Sequence, residues 1–202
     1  MRITFLAVGS RGDVNPACTV ASRLKEVGYQ VCVATHENFH SFVDDLGLEF
    51  APIAGNYQQL LKTEAGFDTL EGKGGFRLIS DDLLLQQLEA SLAACEGSDL
   101  IISFPLSLYG YHIAEKLNTR FLAMSYIPLI ATKEFPFLGF GSQKAGLLSP
   151  LLNLLSYKIA ELILWQSDRP VINQFRQSLG LPKIPLLGVA FRRDVPQNLR
   201  NI

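Results

Sequence analysis

Gly9-Ser10-Arg11-Gly12-Asp13-Val14-Asn15-Pro16 joins an apolar segment, residues 3–8, to a run of apolar residues at helical spacing. The two glycines of this turn can adopt positive φ or let a ligand approach the backbone. Asn15 is a favourable N-cap and Pro16 suits the first helical turn, so we expect the helix to begin near Pro16. A second apolar strand pattern follows the helix, and residues 3–35 are therefore predicted to form a β-α-β unit.

The turn is also the first candidate for a functional site. A strand, a tight turn and a helix N-terminus form the usual place for an anionic or sugar ligand in an α/β sheet. Three interpretations stay open: a structural turn with a surface Asp13, a dinucleotide site, and a catalytic acid or base at the sheet edge. The Gly-x-Gly-x-x-Gly pattern is absent, and Thr35-His36 stands where an acid would bind a ribose.

Strand and helix patterns alternate along the rest of the chain. This alternation predicts one Rossmann-like α/β domain over residues 1–202, with a parallel sheet flanked by helices. Further strands are expected at 29–35, 48–53, 99–104 and 119–125. Further helices are expected at 37–46, 81–96 and 110–117, with a short one near 58–62 before a glycine-rich stretch at 66–75.

Composition narrows the function classes. The 202 residues are 48% hydrophobic and carry a net charge of −1, which gives no electrostatic reason to expect a nucleic-acid partner. No cluster has metal-ligand spacing, so no metal is predicted. The chain shows no signal peptide, and its three cysteines are expected to be buried free thiols of a cytoplasmic protein. These cysteines are Cys18, Cys32 and Cys95.

A leucine-rich segment, residues 147–166, needs separate treatment. Polar residues interrupt it, whereas a membrane span needs about 20 mainly apolar residues. Its apolar residues fall on one helical stripe: Leu151, Leu155, Ile159, Leu162 and Ile163. We expect this helix to pack on the domain or on a partner; contact with a membrane surface or a lipid acceptor is the alternative.

Several segments together resemble a known group of enzymes. In chain order they are residues 9–16, 34–39, 47–53, 110–117, 164–166, 169–173 and 179–182. They resemble the sterol-glucosyltransferase-like members of glycosyltransferase families 1 and 28. The resemblance implies the N-terminal, acceptor-binding half of a GT-B fold. It stops near residue 199, and no segment resembles the family's C-terminal donor-binding domain, so that domain is expected to be absent from this chain.

The resemblance also implies a reaction. An inverting glycosyltransferase moves a hexose from a UDP-sugar to a hydroxyl of a lipid, a sterol or another hydrophobic acceptor. The UDP-sugar is a co-substrate held mainly by the other domain, no cofactor is implied, and this chain alone is expected to be inactive. Two alternatives stay open: an acceptor- or partner-binding subunit of a split enzyme, with an exposed apolar face, and an unrelated nucleotide-binding Rossmann oxidoreductase.

Residue roles follow from the same resemblance. Asp13 occupies the position of the general base that accepts the proton of the acceptor hydroxyl. Judged from the residues themselves, Ser10, Arg11 and Gly12 are candidates for binding the acceptor. Ser10 and Arg11 are alternatively candidates for the donor phosphates, and Arg11 for a surface ion pair.

Two further groups are weighed from the residues themselves. His112 is a candidate for orienting the acceptor or Asp13, or is a helix-end histidine bonded to backbone. The aromatic residues of the loops either line an apolar acceptor pocket or pack in the core; they are Tyr109, Tyr126, Phe135, Phe137 and Phe140. His36 and His40 are expected on the surface or in loops.

Overall fold

A computed structural model of the chain describes residues 1–60, 62, 79–138, 140 and 148–186. The strands are β1 (Arg2–Leu6), β2 (Gln30–His36), β3 (Glu49–Ile53), β4 (Leu100–Ser103) and β5 (Arg120–Ala123). The helices are α1 (Arg11–Glu26), α2 (His40–Asp45), α3 (Tyr57–Leu60), α4 (Asp81–Cys95), α5 (Gly110–Leu117) and α6 (Ser149–Ser178). Short 3-10 turns occur at Glu37–Phe39 and Pro105–Ser107. The predicted glycine-rich stretch at 66–75 lies outside the described residues.

The five strands form one parallel sheet in the order β3-β2-β1-β4-β5. The first strand is central: Leu6 lies opposite Ala34 of β2 on one side and Ser103 of β4 on the other. The predicted Rossmann-like α/β fold is therefore confirmed, and the carboxyl ends of all five strands meet at one edge.

Apolar side chains fill both faces of the sheet. On one face, Phe5 and Val33 pack with Val14, Ala17 and other residues of α1. On the other face, Leu6 and Val8 pack with α4, α5 and the C-terminal part of α6; the α-helical members include Leu88, Ile113, Val171 and Phe175. A parallel sheet is stable only when both faces are covered in this way.

The start of α1 corrects the prediction. The helix begins at Arg11, and its N-cap is Ser10, with φ −86° and ψ 179°. Because an acid stands three residues after Ser10, the two side chains form a capping box that starts the helix earlier than Asn15 would. Pro16 lies inside the helix, where it cannot donate to the carbonyl of Gly12.

The last helix, α6, is longer than predicted, and the face that it buries is the one opposite the predicted apolar stripe. It runs from Ser149 to Ser178, past Pro170, instead of covering residues 147–166. The predicted apolar stripe is solvent-exposed, while residues such as Tyr157 and Trp165 are buried. Residues 181–186 run back along this helix, held by a two-way bond between Asn173 and the backbone of Ile184 at 2.8 and 3.0 Å.

Candidate active site

The carboxylate of Asp13 is fixed by its own turn. Its Oδ2 accepts hydrogen bonds from the backbone N–H of Ser10 at 2.6 Å and from the Ser10 hydroxyl at 2.8 Å. Gly9, with φ +135°, lies directly behind it: a Cβ at this glycine would stand 2.4 Å from Oδ2. The turn therefore seats one carboxylate oxygen against the backbone and leaves the other free to meet a different part of the chain.

The contact of the second carboxylate oxygen comes from the residues after β5, the strand at one edge of the sheet. The hydroxyl of Tyr126, a residue that follows β5, donates to Oδ1 of Asp13. The Tyr126 ring stacks on Phe104, which follows β4, with 6.2 Å between ring centroids. Tyr126 remains 43% exposed, and Asp13 is partly exposed. The two side chains form a polar pair that reaches the surface.

This pair stands where an α/β sheet binds ligands. The helix after β1 packs on one face of the sheet and the helix after β4 packs on the other. Neighbouring strands whose connections diverge in this way leave a crevice at their carboxyl ends, which is the usual ligand site. Asp13 follows β1 and therefore lies at this crevice.

The other three residues predicted in the turn share this location. Arg11 and Gly12 are exposed, and Ser10 is partly exposed. The Arg11 guanidinium lies over the Phe42 ring, 5.4 Å from its centroid. Ser10, Arg11 and Gly12 thus share the turn of Asp13, but the described contact of the Arg11 side chain is with Phe42 of α2 and not with Tyr126.

His112 is placed differently from the predicted orienting role. It is 1% exposed, and its Nδ1 lies 3.1 Å from Nη1 of Arg176. Burial, together with the Arg176 charge, lowers the pKa of His112 to about 3. Arg176 also binds Glu115 at 2.6 Å, so His112 belongs to a buried cluster that ties α5 to α6. The described hydrogen bond of the His112 ring is to Arg176 and not to the backbone. No described contact joins His112 to the Asp13 turn.

Two of the predicted pocket aromatics are packing residues. Tyr109 is buried, its hydroxyl lies 3.1 Å from the Ser91 hydroxyl, and burial raises its pKa. Phe137 is partly buried and packs edge-on against Tyr157 of α6 at 5.5 Å. Of the predicted pocket residues, only Tyr126 contacts Asp13 in the described part of the chain.

The expectation that His36 lies on the surface or in a loop is wrong. This residue ends β2 and is fully buried. Its ring bonds to the backbone of Gly9 and of Ile53, each at 3.1 Å. Burial lowers its pKa, against smaller opposing effects of neighbouring carbonyls and Asp13. The sequence signal was present: His36 closes an almost uninterrupted apolar strand.

An exposed apolar stripe on α6 is the other unusual surface. Its members are 39–64% exposed. They are Leu148, Leu151, Leu152, Leu155, Ile159, Leu162 and Ile163. Within residues 1–60, 79–138 and 148–186, no helix is both long and apolar enough to cross a bilayer.

The three predicted thiols are all buried and free. Burial raises the pKa of Cys18 and of Cys32 to about 11. In the described ranges, no group of three or more acidic, histidine or cysteine side chains could hold a metal ion.

Curated proteins similar to this chain are sterol glucosyltransferases. The Neurospora crassa sterol 3-beta-glucosyltransferase is 33% identical over 195 residues, covering 92% of this chain and 12% of that protein. The Pichia angusta enzyme of the same name is 33% identical over 193 residues, covering 92% of this chain and 15% of that protein. The chain thus spans less than a sixth of the length of these two relatives.

Solved structures of glycosyltransferases share the fold. SsfS6 of Streptomyces sp. SF2575 superimposes with a TM-score of 0.52 at 22% identity, covering 92% of this chain and 48% of its own. The kitacinnamycin glycotransferase gives a TM-score of 0.58 at 14% identity, covering 94% of this chain and 43% of its own. The likeness covers less than half of each of these chains, as expected for the N-terminal, Rossmann-like half of a GT-B fold.

The family model for the glycosyltransferase family 28 N-terminal domain matches residues 3–136. That range contains the sheet except Arg2 of β1, together with the Asp13 turn and Tyr126. Because the match covers most of the chain and agrees with its relatives, this protein belongs to glycosyltransferase family 28 and contains the N-terminal domain of that family.

Proposed function

We propose that this chain is the acceptor-binding half of an inverting glycosyltransferase that moves a hexose from a UDP-sugar to a hydroxyl of a sterol or similar hydrophobic acceptor. The observation that carries the proposal is the Asp13 carboxylate, held at the crevice between β1 and β4 with one oxygen turned toward Tyr126. The sterol 3-beta-glucosyltransferase relatives support the choice of acceptor class. Family membership leaves the oxidoreductase alternative without support.

The geometry assigns different tasks to the two oxygens of Asp13. Oδ2 is occupied by two donors from Ser10 and orients the carboxylate. Among the described residues, Oδ1 has Tyr126 as its one partner, and this phenol reaches the surface, so an acceptor hydroxyl can replace or join it. As the acceptor oxygen bonds to the anomeric carbon, its proton passes to Oδ1. The bond between the anomeric carbon and the phosphate oxygen breaks, and UDP leaves.

A general base of this kind contributes about 10²- to 10⁴-fold in rate. Tyr126, whose ring stacks on buried Phe104, supplies an exposed aromatic surface beside Asp13, which suits a hydrophobic acceptor. Arg11, exposed in the same turn, is available to the acceptor or to the donor phosphates. Buried His112 and Tyr109 have no direct part in this proposal. Phe137, which packs against Tyr157 of α6, likewise has no assigned part in it.

The donor site belongs, in this proposal, to a second domain or a partner subunit. The reaction needs groups that hold the nucleotide and stabilise the departing diphosphate, and this domain is assigned only the acceptor side. The exposed α6 stripe offers an apolar surface for such a partner to cover. Neither a metal nor a cofactor is assigned to the chain.

The test is a transfer assay with radiolabelled UDP-glucose and ergosterol. The chain is assayed as a fusion to the C-terminal part of the Pichia angusta relative, which supplies the donor domain. We expect Asp13→Asn to lower kcat by about 10²- to 10⁴-fold. The matched control is Asp45→Asn, an exposed acid on α2 that should keep the full rate. Near-normal turnover by Asp13→Asn would show that another group is the base.

Calorimetry on the chain alone tests whether the donor site lies outside this domain. We expect no heat when UDP-glucose or NADH is titrated into it. Micromolar binding of UDP-glucose would place a donor site within this domain. Binding of NADH would instead revive the oxidoreductase alternative.

A further inference from the structure

His36 is a buried histidine that the proposed reaction leaves without a task. It is the last residue of β2 and is 0% exposed. Its ring stacks on Tyr57 of α3, with 5.3 Å between centroids and 29° between planes. It therefore lies where the end of β2 meets α3 and the turn after β1.

Both ring nitrogens of His36 have a fixed role. Nε2 faces the backbone N–H of Gly9 at 3.1 Å, and an N–H can only donate. Nδ1 faces the carbonyl oxygen of Ile53 at 3.1 Å, and a carbonyl oxygen can only accept. The ring must therefore be neutral, with its proton on Nδ1 and a lone pair on Nε2.

The bond to Gly9 acts on the turn that carries Asp13. Two successive amides of that turn have defined partners: the Gly9 N–H donates to His36, and the Ser10 N–H donates to Oδ2 of Asp13 at 2.6 Å. The peptide between them has little freedom to rotate while both bonds are present. The direction of the Asp13 carboxylate is thus set partly from β2.

We infer that His36 is a positioning residue, which uses its Nε2 lone pair to hold the Gly9 peptide so that the turn presents Asp13 correctly. This inference rests on the proposed role of Asp13 only where it concerns the rate of transfer. The geometric part concerns the turn itself and can be tested in the chain without any reaction. His36 touches neither acceptor nor donor in this account.

Two substitutions separate the two bonds of the ring. In His36→Gln, the side-chain oxygen reaches the place of Nε2 and can still accept from Gly9. In His36→Asn, the shorter amide reaches the place of Nδ1, so it can donate to Ile53 but leaves the Gly9 N–H without an acceptor. The variants form a matched pair, because both replace the imidazole with a neutral amide.

The first readout is amide hydrogen exchange by NMR on the 202-residue chain. We expect His36→Asn to speed exchange at Gly9 by about tenfold or more, and to shift the Ser10 amide resonance. The Phe5 and Leu6 amides of β1 should keep their protection. His36→Gln should resemble the wild type at all four amides. Equal exchange at Gly9 in the two variants, or an unmoved Ser10 resonance in His36→Asn, would overturn the inference.

The second readout is kcat in the fusion described above. A displacement of about 1 Å at a reacting group costs about 10²-fold, so His36→Asn should lose about that factor with unchanged KM for UDP-glucose. His36→Gln should restore most of the rate. Faster Gly9 exchange without a fall in kcat would limit His36 to a structural role and overturn the positioning role.

The proposed function can fail without the inference failing. Normal turnover by Asp13→Asn would remove Asp13 as the base, while the Gly9 and Ser10 amides would still report what His36 holds. If neither variant folds, the imidazole ¹⁵N shifts of the wild-type chain decide the geometric part. A proton on Nε2 in place of Nδ1 would overturn it.

Discussion

Replacing Gly9 with alanine tests whether the Asp13 carboxylate really lies against the backbone. A Cβ at Gly9 would stand 2.4 Å from Oδ2 and 2.6 Å from Cγ of Asp13, too close for either side chain to stay in place. Gly28 is the matched control. It also has positive φ, +95°, but a Cβ there would meet nothing within 4 Å.

Gly9→Ala has two costs, backbone strain at positive φ and a clash with Asp13, and the comparison with Gly28→Ala separates them. Each substitution forces alanine into a backbone conformation with positive φ, which costs about 1–2 kcal/mol. Only Gly9→Ala must also displace a side chain, and overpacking of this kind costs about 1–3 kcal/mol. We therefore expect Gly28→Ala to lower the free energy of unfolding by about 1–2 kcal/mol, and Gly9→Ala by about 1–3 kcal/mol more.

The assay is urea unfolding at pH 7, followed by far-UV circular dichroism. Adding Asp13→Ala to Gly9→Ala removes the two closest atoms, so the second substitution should cost much less in the Gly9→Ala background than alone. Equal destabilisation by Gly9→Ala and Gly28→Ala, within about 0.5 kcal/mol, would refute the reasoning. It would mean that the Asp13 carboxylate is not seated over Gly9.

Three further outcomes are expected from urea titrations. The pKa of a histidine is about 6.5 in the unfolded chain, whereas burial lowers the pKa of His112 to about 3 in the folded protein. Between these two pH values the unfolded state binds more protons, so the free energy of unfolding falls as the pH drops from about 6.5 to about 3. The slope is about 1.4 kcal/mol per pH unit for this group; a stability that is equally pH-dependent in His112→Gln would contradict it. Trp165→Ala should cost about 3–5 kcal/mol, whereas exposed Leu155→Ser should cost less than about 1 kcal/mol; similar losses would reverse the assigned faces of α6. Glu115→Ala should cost about 3 kcal/mol because it leaves the buried Arg176 charge without its carboxylate, and a loss below 1 kcal/mol would show that this pair is solvated.

The order of elements was predictable because it depends on local periodicity. Glycines after helices and apolar runs of four to six residues are signals that can be read within a few neighbouring residues. The helix at Gly110–Leu117 was predicted from local signals of this kind. The start of α1 was also encoded locally, in Ser10 and Asp13, yet Asn15-Pro16 offers a competing signal of the same kind. The capping box prevails because it provides two reciprocal hydrogen bonds at once.

The orientation of α6 illustrates what periodicity omits. A stripe at helical spacing identifies a face, but it does not say whether that face meets the sheet, a partner or water. Here the buried side carries Tyr157 and Trp165, whose indole N–H donates to the Pro185 carbonyl at 3.3 Å. That contact depends on a segment 20 residues away, so no window of local sequence contains it.

In the candidate site, too, one residue was predictable from local sequence and its partners were not. Asp13 was recognisable because its turn has a distinctive sequence and a family resemblance. Its partner Tyr126 lies 113 positions away and His36 is 27 positions from Gly9. Only the sheet order, which brings the carboxyl ends of β1, β2 and β5 to one edge, places these residues together.

The central position of β1 has a consequence for biosynthesis. Leu6 and Val8 are synthesised more than 160 residues before their packing partners Val171 and Phe175. At about 5–20 residues per second, roughly 10–30 s of translation separate them. During that interval the nascent chain exposes the inner face of its first strand. A codon-dependent pause before α6 would lengthen this exposure, and a chaperone bound to that face would shield it.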